Sequence, residues 1–175
     1  MSARYLRPRL LQPTDLLDQF ECRSVEQTLW LRDHARQAHA GGTAKVLVVV
    51  EQGSQAVVAY YAWAMGSLSV ADAPKRMRKG AGRYPQPIAL LARLAVDINH
   101  EGRGLGAALL KDVISRVAEL GTQIGCRGLL LHAESEEASS FYLHLVPGFE
   151  QSPTDPLHLV LLMKDIHSSP ANPKR

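Results

Sequence analysis

The stretch EGRGLGAALL, residues 101–110, places three glycines and an arginine in its first six residues and then turns apolar. Glycine at this density lets another group approach the backbone closely. An almost wholly apolar run, PIALLARLAVD (87–97), precedes it. A 3.6-residue apolar period follows, with Leu105, Leu109, Leu110, Val113, Ile114, Val117 and Leu120 on one face and Gly121 behind them. The pattern predicts strand, glycine turn, helix over 87–120. N–H groups at a helix start have no acceptor inside the helix, and the helix dipole favours negative charge there. Residues 102–107 therefore read as an anion cradle, to which Arg103 adds a cation.

Two nucleotide-binding readings compete for these glycines. Gly102, Gly104 and Ala107 fit G-x-G-x-x-A, and Glu134 stands near the end of the next strand as a ribose-binding acid would. That motif belongs on the first strand of its fold, however, whereas three or four strands precede it here. Glu134 also comes some 28 residues after Gly106, later than the roughly 20 expected. A phosphate-loop NTPase needs Gly-Lys-Ser/Thr, and Gly106 is followed by two alanines. A plain tight turn explains one or two glycines but not three with an arginine.

The other elements follow from the same rules. RYLRPRLLQP (4–13) reads as an edge strand and PTDLLDQF (13–20) as a short helix with Pro13 near its start. Ser24 caps a predicted helix over 25–40, ended by Gly41-Gly42. The run at 44–65 reads as a hairpin around Gly53. CRGLLLHA (126–133) is a buried strand, Ser135 caps a short helix over 135–145, and PLHLVLLMKD (156–165) is the last strand. There is no internal repeat, so one domain over 1–167 is expected, with a flexible tail at 168–175.

At 175 residues and 46% hydrophobic content the chain can bury a sizeable core. Its apolar runs are far too short to span a bilayer, so no membrane association is expected. The first residues lack the pattern of a signal peptide, and two cysteines make neither a disulfide framework nor a metal site. These features predict a cytoplasmic protein. Its seven histidines show no ligand spacing, and no metal is assigned. The net charge of +3 is concentrated in KRMRKGAGR (75–83), where five cations meet no acid. The glycines and prolines around it predict a loop, either merely solvated or in contact with a phosphate backbone. Arg93 is the one charge inside its apolar strand, and burying it requires a partner.

The segment LARLAVDINHEGRGLGAALL (91–110) resembles the central motif of the GNAT superfamily of N-acetyltransferases, [QR]-x-x-G-x-[GA]. The resemblance implies an α/β (α+β) fold with a mixed sheet of about six to seven strands, flanked by helices and splayed between its central parallel strands. It implies that acetyl-CoA is the co-substrate, bound by Leu94, Ala95 and Val96 on the strand, by Gly102, Arg103, Gly104, Leu105, Gly106 and Ala107 in the loop, and by Ser135. Two positions depart from the pattern: Glu101 stands where Gln or Arg is usual, and Ser135 where many members have Asn.

The segments at 20–35, 57–70, 91–97 and 141–149, with SPTDPLHLVLL (152–162), narrow the likeness to the GNAT toxins of bacterial toxin–antitoxin pairs. That subgroup acetylates the α-amino group of aminoacyl-tRNA, is neutralised by a ribbon-helix-helix antitoxin and is commonly a homodimer. An α-amine titrates at about 7.7–8.0 and an aminoacyl ester lower, so a dedicated base is nearly dispensable. The resemblance gives Tyr142 the role of acid toward the leaving thiolate, although Phe141 and Tyr142 also read as core aromatics of a short helix. Lys75, Arg76, Arg78 and Lys79 become candidates for tRNA phosphates. Arg93 is open to the tRNA acceptor end or to an ion pair with Asp97 or Glu134. An ordinary N-acetyltransferase of small amines or protein N-termini, and a non-catalytic module binding nucleic acid or antitoxin, are the alternatives.

Overall fold

β-Branched and aromatic residues dominate Lys45–Val50 (β2) and Val57–Leu68 (β3), and the two pair antiparallel from Lys45↔Trp63 to Val50↔Val57. Gly53, at φ 83°, turns the chain between them. In the computed structural model, which describes residues 4–168, these strands belong to a seven-stranded sheet of order β1-β2-β3-β4-β5-β7-β6. The others are Arg9–Leu10 (β1), Gln86–Val96 (β4), Gly128–His132 (β5), Glu150–Gln151 (β6) and His158–Leu162 (β7). β4 and β5 pair parallel, and their ladder runs from Ala89↔Leu129 to Leu91↔Leu131. β4 continues five residues beyond that ladder, to Val96. The helices are Val25–Asp33 (α1), Ala35–Gly41 (α2), Lys75–Arg78 (α3), Leu105–Leu120 (α4), Glu136–Leu145 (α5) and Met163–Ser168 (α6). No described helix is long and apolar enough to cross a membrane.

The chain forms two compact units, each made of two stretches of sequence. The first runs up to Ala64 and takes in Ala92–Leu110. Val46, Val48, Val50, Tyr60 and Ala62 pack there with Leu31 and Ala35 of the helical layer and with Leu17 and Phe20. Phe20 meets Tyr60 edge-on at 5.5 Å, and Trp30 stacks on Tyr60 at 6.0 Å. The second unit holds Met65–Leu91 and the chain from Lys111 onward. Its core joins Leu68, Met77, Ile88, Leu130, Val160 and Leu162.

Several elements differ from the sequence expectation. The helix expected at 13–20 does not form. The Leu16 N–H bonds Gln55 O, Val57 N–H bonds Leu16 O, and the Asp15 carboxylate accepts from Gln12 N–H, so the backbone is engaged outside a helix. The helix expected over 25–40 is interrupted at His34, and Leu31 and Ala35 on either side of the break are both fully buried. Residues 75–78 are not loop but a helical turn, held by the fully buried Met77. The last strand stops at Leu162 because the chain turns helical and buries Ile166. Ser168, expected in the tail, closes that helix, and the rest of the expected tail, 169–175, lies outside the described residues. β6 has two residues, too few to show a period.

Gly128 shows how tightly the second unit is assembled. A Cβ there would lie 2.2 Å from the carbonyl oxygen of Leu161 on the paired strand β7. Gly128→Ala must push β5 from β7, and a loss of roughly 2–4 kcal/mol is expected in denaturant unfolding. An unchanged midpoint would contradict this packing.

Candidate active site

Strand β4 ends at an anchored carboxylate. Asp97 is 6% exposed, and its N–H donates to Val58 O at 2.8 Å. Its carboxylate accepts from Glu21 N–H at 3.0 Å and Asn99 N–H at 2.8 Å. The second bond caps a single 3-10 turn, Ile98–His100. The chain then passes through Gly102 (φ 74°) and Gly104 (φ 80°), both left-handed, and enters α4 with the first helical bond from Ala108 N–H to Gly104 O. A Cβ on either glycine would meet nothing within 4 Å. The requirement for glycine is thus conformational, and the space beside the loop is open. Gly102, Arg103 and Gly104 are exposed, Gly106 and Ala107 half-buried, and Leu105 is buried as the first rung of the helix's apolar face. The loop has the backbone, the room and the exposure to hold a phosphate group.

Leu94, Ala95 and Val96 occupy the part of β4 beyond the β5 ladder, so the first unit gathers all the expected cofactor residues except Ser135. Arg93 does not form the expected ion pair with Asp97 or Glu134. Its guanidinium donates to Gln27 Oε1 at 2.8 Å, pairs with Glu26 at 3.3 Å and lies 4.9 Å from the Trp30 ring centroid.

The second unit carries Ser135, Tyr142 and the basic residues. Ser135 Oγ accepts from Ala138 N–H at 3.1 Å as the N-cap of α5. On that helix Phe141 is 42% exposed while Tyr142 is 9% exposed, so the two are not a pair of core aromatics. Burial first, and then the Glu134 carboxylate, push the Tyr142 phenol up to about 12. In the basic segment, Arg76 forks between Glu150 at 2.6 Å and Asp165 at 3.0 Å, which raises its pKa further. Arg78 Nε donates to Ala73 O at 2.9 Å. Lys75 and Lys79 are exposed.

No protein-family model matches the chain. Over 161 residues it is 44% identical to a tRNA-acetylating toxin of Mycobacterium tuberculosis, covering 92% of this chain and 94% of the relative. The chain belongs to the tRNA-acetylating toxin family. Its fold is shared with AtaT, solved in complex with acetyl-methionyl-tRNAfMet, at TM-score 0.84 and 23% identity over 94% of this chain and 98% of that one. A tyrosine-to-phenylalanine variant of AtaT, bound to the C-terminus of the antitoxin AtaR and acetyl-CoA, matches at TM-score 0.78 and 21% identity over 94% and 96%.

Glu101, the position that departs from the motif, sits at the start of the glycine turn, where a carboxylate would oppose a bound anion unless it is paired. Arg23 is its partner, with Nε and Nη2 donating to the carboxylate at 2.8 and 2.9 Å. No local sequence signal could pair these residues, which are 78 positions apart. The SPTDP segment also acquires a structural role. Ser152 Oγ donates to Asp72 O at 2.6 Å, and Thr154 Oγ1 to Asp72 Oδ1 at 2.5 Å, which pins the chain just before the basic turn. Arg127 and Gln86, overlooked in the sequence, support the far side of that turn. Arg127 donates to Met77 O and to Gln86 Oε1, and Gln86 Nε2 to Ala81 O.

The raised phenol has a measurable sign. A tyrosine whose folded pKa exceeds the usual 10 contributes stability that is present below about pH 10 and lost as pH rises toward 12. The absorbance difference between wild type and Tyr142→Phe should show no phenolate up to roughly pH 10.5. Ionisation of Tyr142 near pH 10 would contradict the burial.

Proposed function

We propose that this protein transfers an acetyl group from acetyl-CoA to the α-amino group of aminoacyl-tRNA, and so acts as a translation-blocking toxin held in check by an antitoxin. The observation that carries the reading is the open loop of Gly102 and Gly104, in a chain 44% identical to a tRNA-acetylating toxin. Acetyl-CoA supplies the acetyl group as an activated thioester. The N–H groups of residues 102–107 and the Arg103 guanidinium hold its pyrophosphate, since they combine a helix start, exposure and room for phosphate oxygens. A main-chain N–H among Leu94, Ala95 and Val96 donates to the acetyl carbonyl oxygen as negative charge develops there.

Tyr142 donates its hydroxyl proton toward the leaving sulfur. At about 12 its phenol stays protonated at neutral pH and cannot end as a phenolate. The proton released by the attacking amine must therefore restore it, and the net transfer is from amine nitrogen to thiol. The capping role of Ser135 leaves its hydroxyl hydrogen available to the cofactor. Arg93, taken up by Gln27, Glu26 and Trp30, is given a packing role. Among the basic residues, Lys75 and Lys79 are the phosphate contacts, while Arg76 and Arg78 brace their turn. A charged tRNA as substrate places the reaction in the cytoplasm. A ribbon-helix-helix antitoxin and a homodimer are the assemblies expected from the family resemblance.

Labelled acetyl-CoA offered to a pool of charged tRNAs, with small amines and peptides in parallel, should label the aminoacyl-tRNA. Label confined to amines or peptides, or no label at all, would overturn the proposal. Tyr142→Phe should lower turnover by roughly 100-fold or more while retaining the fold. The double variant Lys75→Gln/Lys79→Gln should flatten the salt dependence of tRNA binding by about 1 in log–log slope for each lysine that meets a phosphate. An unchanged slope would remove these lysines from the interface.

A further inference from the structure

Arg103 lies on an exposed segment between two left-handed glycines, the kind of place where a long side chain is free to wander. The structure holds it. Its Nη1 donates to the Tyr5 hydroxyl at 2.7 Å, and that hydroxyl is 2.8 Å from Nδ1 of His100. The phenol oxygen accepts from the guanidinium and shares a hydrogen bond with the ring nitrogen, whose direction follows the imidazole tautomer. The Tyr5 ring also meets His100 edge-on, at 5.8 Å and 75°. His100 is fixed by its own N–H, which donates to Asp97 O at 2.9 Å, and its Nδ1 stands 3.4 Å from Glu51.

Tyr5 itself is not loosely placed. It bridges antiparallel to Glu51, while Leu6 N–H donates to Val50 O at 3.0 Å and Gln52 N–H to Arg4 O at 2.8 Å. Backbone pairing on both sides of Tyr5 fixes its Cα, and the ring carries its hydroxyl to the loop 98 positions away. None of this is needed to pack a core, because Tyr5 is only half-buried and Arg103 is exposed.

We infer that Tyr5 is a positioning residue for the cofactor loop: its hydroxyl presets Arg103 for the pyrophosphate of acetyl-CoA. The inference rests on the pyrophosphate reading of residues 102–107 given above. Ordering an arginine removes much rotamer freedom, and a hydrogen bond that does so beforehand lowers what binding must supply. Loss of that one bond should weaken binding by a factor of about 2–10.

The experiment compares two acetyl donors, acetyl-CoA and S-acetylpantetheine, which lacks the pyrophosphate. Saturating aminoacyl-tRNA is the acceptor. Tyr5→Phe, which keeps the ring and the backbone pairing, should raise KM for acetyl-CoA about 2–10-fold with little change in kcat. Its kcat/KM for S-acetylpantetheine and its melting temperature should match wild type. Arg103→Ala should raise KM for acetyl-CoA at least as much, and adding Tyr5→Phe to it should have no further effect. An unchanged acetyl-CoA KM in Tyr5→Phe, an equal loss with both donors, or full additivity with Arg103→Ala would each overturn the latch. If wild type itself does not prefer acetyl-CoA to S-acetylpantetheine, the pyrophosphate reading falls and takes the latch with it. If that preference is kept and Tyr5→Phe is silent, the latch alone falls.

Discussion

The buried carboxylate of Asp97 is the constraint on which the glycine turn before α4 depends. It stands where β4 ends, and a buried carboxylate is tolerated only when its oxygens are satisfied. Two backbone N–H groups do this, one from Glu21 and one from Asn99. The first ties the loop to the segment leading into α1, and Ile98 N–H reinforces the tie by donating to Glu21 O at 2.8 Å. The second starts the 3-10 turn that places His100. Gly102 and Gly104 can then adopt left-handed conformations from a fixed point, and the first turn of α4 presents its N–H groups at a defined position. Pre-set donors of this kind need no rearrangement when a ligand arrives, which is why they bind and stabilise charge effectively.

Around that anchor, charged residues act mostly in pairs. Glu101 would repel a phosphate, but its carboxylate is gathered by Arg23. Such an exposed pair adds little to stability; its effect is on the charge beside the loop. Arg93 is a more demanding case, since its side chain is only 22% exposed on a strand. Gln27, Glu26 and the face of Trp30 satisfy it together, a hydrogen bond, an ion pair and a cation–π contact serving one guanidinium. In the second unit Arg76 crosses from α3 to Glu150 and Asp165, and so holds the basic turn in place. The lysines on either side of that turn remain exposed.

Tyr142 shows how burial tunes the chemistry of a residue. The environment that disfavours its phenolate also keeps its proton in place through the physiological range. Its hydroxyl therefore keeps a proton to donate at neutral pH, as the proposed role of acid toward the leaving thiolate requires. A more acidic phenol would give up its proton more readily but would spend part of its time ionised and unable to donate.

Local rules made much of this protein legible from its sequence. Period-2 and near-continuous apolar runs marked β2, β3, β4 and β5, because strand residues must satisfy one or two buried faces. The 3.6 period marked α4, and Ser24 and Ser135 cap their helices because short polar side chains near a helix start accept its orphan N–H groups. The glycine spacing at 102–106 marked the turn into α4, since only glycine takes those φ angles at little cost. The tertiary structure decided what depends on distant partners. It broke the helix expected at 13–20 by engaging its backbone outside a helix, made a helical turn of 75–78 around the buried Met77, and paired Arg93 with α1. It also brought Arg23 to Glu101 and Tyr5 to Arg103, across 78 and 98 positions. Propensity and periodicity act within a few residues along the chain, whereas an ion pair or a hydrogen bond between side chains is set by proximity in space, which only the completed fold supplies.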